Sequence, residues 1–157
     1  MNPVKLPQMK SDEIDDLIGA LKICRIAMNR DDYPYLAPFR YVVKDNVLYF
    51  HFTNYGRKME LLVKEQKVCV QIDNYTQDLS SYRFVSLCGT LEKVTDATEY
   101  WSVVKMFSDT GKRVLSVKFL AAHGLSPDEG WDAFASNKEM IFMKLVNEKS
   151  RFGLKSP

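Results

Sequence analysis

The sequence has few of the residues from which small proteins build covalent or metal staples: three cysteines (Cys24, Cys69, Cys88) and two histidines (His51, His123) among 157 residues. There is no CxxC pair and the histidines lack metal-ligand spacing, which excludes zinc ribbons, zinc fingers and thioredoxin-type motifs; no metal is expected. The odd cysteine count leaves at least one thiol free. Each cysteine lies in a strand-like apolar run, so all three are expected to be small buried hydrophobes. Glycine and proline number only seven and six, which excludes collagen-like and low-complexity chains. The longest apolar runs are about four or five residues, far below the ~20 that cross a bilayer, so no membrane span is expected. The opening "MNPVKLPQMKSDEIDD" has no apolar core of signal-peptide length, and a cytoplasmic, reducing location is expected. With 22 basic against 20 acidic residues, the net charge is +2, too small for the broad basic surface that nucleic acid requires. Residues 149–157 carry Lys149, Arg151 and Lys155 without an acid and read as a mobile or docking tail first, an anion contact second.

Apolar residues make up 46% of the chain and aromatics 12%, a composition of globular type. At this length one core buries roughly 70% of the unfolded surface, and residues 1–157 are expected to form one domain. Ser11 precedes Ile14, Leu17, Ile18 and Leu21 at helical spacing, with acids in the first turn, predicting a helix over 12–22. Short β-rich runs follow, "ICRIAMN", "YPYLAPFRYVV" and "VLYFHFT", separated by Asp31-Asp32 and Asp45-Asn46 turns. Pro34 and Pro38 place the second strand at an edge or bulge. "NYGRKMELLVKEQ" predicts a glycine loop and a short helix with Met59, Leu62 and Val63 on one face. "KVCVQID" and "YRFVSLCGTLEKV" are two further strands, with a bend at Gly89. Asp96 and Glu99 have capping-box spacing before the stripe Tyr100, Val103, Val104, Phe107. "VLSVKFLAAHG" predicts another helix, Ser126-Pro127-Asp128-Glu129 a helix start, and "EMIFMKLVN" a last strand. The order helix, five strands, helices, strand is α+β and not doubly wound.

Anion capture is concentrated in "YFHFTNYGRKMELL". Thr53 offers a hydroxyl, Gly56 allows close backbone approach, and Arg57 and Lys58 bring two cations to a helix start, an arrangement suited to phosphate. A glycine turn before a solvated basic helix is the alternative. Neither Walker A nor GxGxxG spacing is present.

This segment resembles the phosphate-binding loop of the pyridoxamine 5′-phosphate oxidase-like superfamily of FMN-binding split barrels, whose nitroimidazole-reductase-like branch it is most similar to. The similarity extends through the "YPYLAPFRY" and "KVCVQID" strands, over roughly residues 12–95, and beyond that by topology. It implies a six-stranded antiparallel split β-barrel with flanking helices, FMN as cofactor, and a homodimer with flavins at the subunit interface. It further implies that Arg57 and Lys58, helped by Thr53 and Gly56, hold the phosphate while Pro38, Phe39, Arg40 and Tyr41 run beside the ring. Gln71 is a polar flavin contact or a solvent-facing strand residue; Arg40 approaches the flavin or makes a cross-strand ion pair. His51 is a half-buried packing residue, or a catalytic residue near the flavin's reactive face. Trp131 and Phe134 are assigned to the partner's flavin pocket, Trp101 to the core, and His123 to a helix-end dipole contact. "KSRFGLKSP" lacks the histidine of the true oxidases' substrate segment, so pyridoxamine phosphate is not the expected substrate. The resemblance implies an FMN-dependent oxidoreductase acting on a small planar molecule; a non-catalytic flavin- or haem-binding barrel is the alternative, and a deazaflavin branch shares the fold.

Overall fold

The computed structural model describes residues 5–136 and 140–157. Six strands close an antiparallel barrel in the order β1-β2-β3-β6-β5-β4, the split-barrel architecture with flanking helices. The strands are β1 (Ile23–Met28), β2 (Tyr35–Lys44), β3 (Val47–Phe52), β4 (Lys67–Tyr75), β5 (Tyr82–Lys93) and β6 (Ile141–Lys155). Around them lie α1 (Ser11–Ala20), α2 (Arg57–Lys64), α3 (Ala97–Val114) and α4 (Gly130–Ser136), with 3-10 segments at Val117–His123 and Pro127–Glu129.

Period-two alternation builds the barrel. In β4, Val68, Val70 and Ile72 point inward to meet Val85 and Leu87 of β5, while Lys67, Cys69 and Gln71 face outward. The β2–β3 hairpin turns on Asp45 and Asn46, both at positive φ (51° and 62°), as a two-residue hairpin of this twist requires. Around Pro38, β2 pairs with β1 alone; pairing with β3 begins at Tyr41. The missing proline N–H therefore falls where one side of the strand is free. At Gly89 the β5–β6 register shifts. A Cβ there would stand 2.8 Å from the Val146 carbonyl oxygen, so the close strand approach needs glycine.

Ile14, Leu17 and Ile18 of α1 join the barrel core, and the Tyr41 hydroxyl donates to the Ile18 carbonyl at 2.6 Å. A second apolar layer lies outside the barrel, where Val103, Val104 and Phe107 of α3 pack with Trp131 and Phe134 of α4 against Val42, Tyr49 and Phe142. Asp96 caps α3 by accepting from the Glu99 N–H at 2.7 Å.

The structure corrects several sequence expectations. Cys69 and Cys88 are not buried thiols: they face each other across β4–β5 on the outer surface and are disulfide-bonded, leaving Cys24 as the buried free thiol. An apolar run does not reveal which strand face a residue takes, and a bonded surface pair is not what a reducing compartment favours. Residues 149–155 are no mobile tail; they continue β6 in register with β5, where Arg151 pairs with Asp15 and Glu148. Val63 is 84% exposed, because α2 turns Leu61 and Leu62 inward instead. Trp101 is 43% exposed while its neighbour Tyr100 covers Phe142. Ser11 is the first residue of α1, not its cap; the backbone N–H of Lys10 instead finds the Glu13 carboxylate at 2.8 Å. The helix expected over 114–124 shortens to the 3-10 segment, and Glu139, expected to open the last strand, lies outside the described residues.

Candidate functional site

Where β2 leaves β1 and β3 ends, the barrel opens into a cleft of about 390 Å³, within the range of small-molecule sites. β2 contributes Pro38, Phe39 and Arg40; β3 and its exit contribute His51 and Thr53; α2 contributes Lys58. The 3-10 segment covers the opposite side with Phe119 and His123, and Ile23 at the start of β1 stands at the rim.

The phosphate-type end is built locally. Gly56 has φ +92°, a backbone conformation that L side chains rarely adopt, and it turns the chain from β3 into α2. α2 then starts with Arg57 and Lys58, so two basic residues stand in the turn whose backbone N–H groups lack helical partners. The Lys58 ammonium lies 5.7 Å from the Phe39 ring centre, and partial burial lowers its pKa. The Thr53 hydroxyl donates to the Tyr55 carbonyl at 3.2 Å, holding the loop.

Behind the cleft is a polar centre without an acid. The Arg40 guanidinium is buried, donates through Nη2 to the Phe107 carbonyl, and lies 4.8 Å and 4.9 Å from the ring centres of Phe107 and Trp131. Its Nε has no partner, and among the described residues no carboxylate pairs with it. Burial lowers its pKa to about 10, which leaves it charged at neutral pH. Next to it, the Nδ1 atoms of His51 and His123 are 2.9 Å apart. Burial, reinforced by the Lys58 and Arg40 charges, pushes His51 down to about 4. His123 is pushed down to about 3 by burial, then by His51 and Arg40. Both imidazoles are therefore neutral at pH 7. No group of three or more potential metal ligands occurs among the described residues.

Of the expected site residues, the cleft brings together Pro38, Phe39, Arg40, His51, Thr53 and Lys58. Gly56 and Arg57 are exposed on the adjoining loop and helix start. Tyr41 points into the barrel core toward α1. Gln71 is on the outer face of β4, opposite Arg25 and Ser86 and away from the cleft. Trp131 and Phe134 are both buried within this chain, with Trp131 against Arg40 and the Ser108 hydroxyl donating to the Trp131 carbonyl at 3.0 Å. His123 also lines the cleft, although its local sequence suggests only a dipole contact at a helix end. The signal available was the spacing of Phe119 and His123 on one face of "FLAAH".

A closed antiparallel barrel with an aromatic and cationic cleft of small-molecule size beside a glycine-led helix defines the split-barrel class. Residues 10–120 match the profile described as "Pyridoxamine 5'-phosphate oxidase", and the chain belongs to that family. No curated protein is significantly similar to it in sequence. Among solved structures, it is similar to an FAD-binding protein from Mesorhizobium loti, at 20% identity over 98% of this chain and 100% of that one, with TM-score 0.65. It is also similar to a candidate 5-nitroimidazole antibiotic resistance protein from Bacteroides thetaiotaomicron, at 17% identity over 96% and 90% of the two chains, with TM-score 0.67. A third is the FAD and haem binding protein from Mycobacterium smegmatis, at 16% identity over 95% of this chain and 73% of that one, with TM-score 0.64. No helix among the described residues is long and apolar enough to cross a membrane.

Proposed function

We propose that the chain binds a flavin nucleotide, FMN, in this cleft, works as a homodimer, and acts as an oxidoreductase on a small planar substrate. One observation carries the reading: the cleft joins a cationic, hydroxyl-bearing end at the start of α2 to a flat wall of Pro38 and Phe39. The first suits a phosphate and the second an aromatic ring. The residues fit such a group, since Lys58 and Thr53 line the cleft, the Arg40 charge stands behind it, and among the described residues no carboxylate lines it. The FAD-binding proteins among the structural neighbours support flavin as the ligand class. Two adjacent cations, Arg57 and Lys58, favour the terminal phosphate of FMN over the bridging pyrophosphate of FAD.

In this reading Lys58 and Arg57 hold the phosphate, joined by Thr53 when its hydroxyl turns from the Tyr55 carbonyl, Phe39 and Pro38 orient the ring, and His51 presents a hydrogen-bond donor behind it, backed by the Arg40 charge. The flavin, when bound, supplies electron transfer. Ile23 lines the cleft yet is 44% exposed, so the mouth is open along one side, where a second copy of the chain would close it. The family name alone does not carry pyridoxamine phosphate oxidation to this chain, since one fold hosts many chemistries.

The test is a titration of FMN and FAD fluorescence against the protein and its Lys58→Ala variant, with sedimentation to fix the oligomeric state. FMN binding weakened in the variant supports the reading. Binding of neither flavin overturns it, and tighter binding of FAD overturns the choice of FMN.

A further inference from the structure

His51 and His123 approach through like atoms, Nδ1 to Nδ1 at 2.9 Å. A hydrogen bond between two neutral imidazoles needs one nitrogen protonated and the other bare, so the rings hold opposite tautomers. The choice is made on the far side of His123. There Arg40 Nη1 lies 3.5 Å from His123 Nε2, and a guanidinium can only donate. A proton on that Nε2 would set two N–H groups and a permanent charge against each other, whereas a lone pair facing them is favourable even at this length. His123 Nε2 is therefore bare, its proton sits on Nδ1, and Nδ1–H donates to His51 Nδ1. His51 then carries its proton on Nε2. That atom has no hydrogen-bond partner among the described residues and is not among the sealed polar atoms, and His51 lines the cleft.

We propose that Arg40 and His123 are positioning residues that lock His51 as a neutral Nε2–H donor toward the cleft, which therefore takes a ligand presenting an acceptor atom there, such as a nitro, quinone or other carbonyl oxygen. The inference rests on the cleft being the ligand site proposed above, and it adds the polarity of that site. The surroundings sustain it. Arg40 of β2 and Lys58 of α2 are the charged groups that act on the pair. The other faces are aromatic: Phe119 beside His123, Phe134 of α4 against both rings, and Phe142 of β6 against His51. With no carboxylate at either ring among the described residues, nothing draws the pair into an imidazolium, and the depressed pKa values agree. A neutral histidine used as a donor suits polarising an acceptor oxygen in place of abstracting a proton.

Histidine-selective ¹⁵N labelling and long-range ¹H–¹⁵N correlation at pH 7, on the chain without flavin, read the tautomers directly. The expected pattern is His123 as Nδ1–H, the less common form of free histidine, with His51 as Nε2–H. The swapped pattern, or a doubly protonated ring, overturns the inference, and this needs no variant to fold. In Arg40→Met the lock is removed and His123 becomes a tautomer mixture; an unchanged His123 Nδ1–H would overturn the role of Arg40. His123→Asn keeps an acceptor for Arg40 and a donor for His51, so the His51 pattern survives; its loss would count against the relay. Adding FMN, then 4-nitrobenzyl alcohol, locates the acceptor. A shift of the His51 Nε2–H resonance with FMN assigns it to the flavin, and one only with the nitro compound assigns it to the substrate. FMN that binds without either ligand moving that resonance overturns the ligand half of the inference while leaving flavin binding intact.

Discussion

Lowering the pH from 7 to 5 should destabilise this protein well before its carboxylates protonate, and the cause is the buried histidine pair. In the unfolded chain each imidazole titrates near 6.5; in the folded protein His51 is held at about 4 and His123 at about 3. Between those values the unfolded state binds more protons than the native one, so stability falls as pH falls through this window. For His51 alone, a pKa of about 4 against the ordinary value corresponds to on the order of 3 kcal/mol, fully lost only below the folded pKa. His123 adds a comparable amount, because the unfolded chain takes a proton at each ring while repulsion across 2.9 Å further disfavours charging both in the native pair. Set against a typical stability of 5–15 kcal/mol, the loss is large. Glu13, Glu99, Asp78 and Asp109 also have lowered pKa values, from hydrogen bonds and ion pairs. Their contributions are present above the ordinary carboxylate range and lost only below it, so the slope between pH 6.5 and 5 belongs to the histidines. Urea unfolding of the flavin-free protein at half-unit pH steps measures it. His123→Asn should roughly halve the slope. A midpoint unchanged from pH 7 to pH 5 would refute the neutral, buried pair.

Lys58→Ala should weaken FMN binding by about 1.5–3 kcal/mol, roughly 10- to 150-fold in Kd, because it removes a charged hydrogen-bond donor; an unchanged fluorescence titration would remove Lys58 from the phosphate site. Gly111→Ala should destabilise the protein by about 1–2 kcal/mol although alanine favours helices, because the added Cβ falls inside van der Waals contact of the buried Trp131 ring. Thermal melting followed by tryptophan fluorescence checks it, and a raised midpoint would show that Trp131 yields freely. Reducing Cys69–Cys88, 19 residues apart, should cost about 3 kcal/mol through the freed loop. Denaturation with and without reductant tests this, and alkylation under native oxidising conditions should modify none of the three cysteines, Cys69 and Cys88 being bonded and Cys24 buried.

Much of the barrel was legible because its signals are local. The Asp45-Asn46 turn, the Gly89 irregularity, the Asp96 cap and the strand alternation each depend on a few adjacent residues. Part of the candidate cleft was legible for the same reason: Thr53 and Lys58, which line it, flank the short Gly56-Arg57 turn. What failed depends on closure. His51 and His123 are 72 residues apart and meet only because the 3-10 segment folds over the end of β3. The Cys69–Cys88 pair is fixed by β4–β5 register, which hydrophobicity alone leaves open by one residue. The basic stretch after Lys149 looked unstructured by composition, yet it supplies the long edge that zips β6 to β5.

The central claim is that the cleft at the start of α2 holds a flavin. The most direct measurement is the visible absorption spectrum of the purified protein, repeated after incubation with FMN and removal of excess by gel filtration. Wild type should retain a flavin spectrum that is diminished in Lys58→Ala. A colourless protein under both conditions would contradict it, and a Soret band in place of the flavin spectrum would give the cleft to haem.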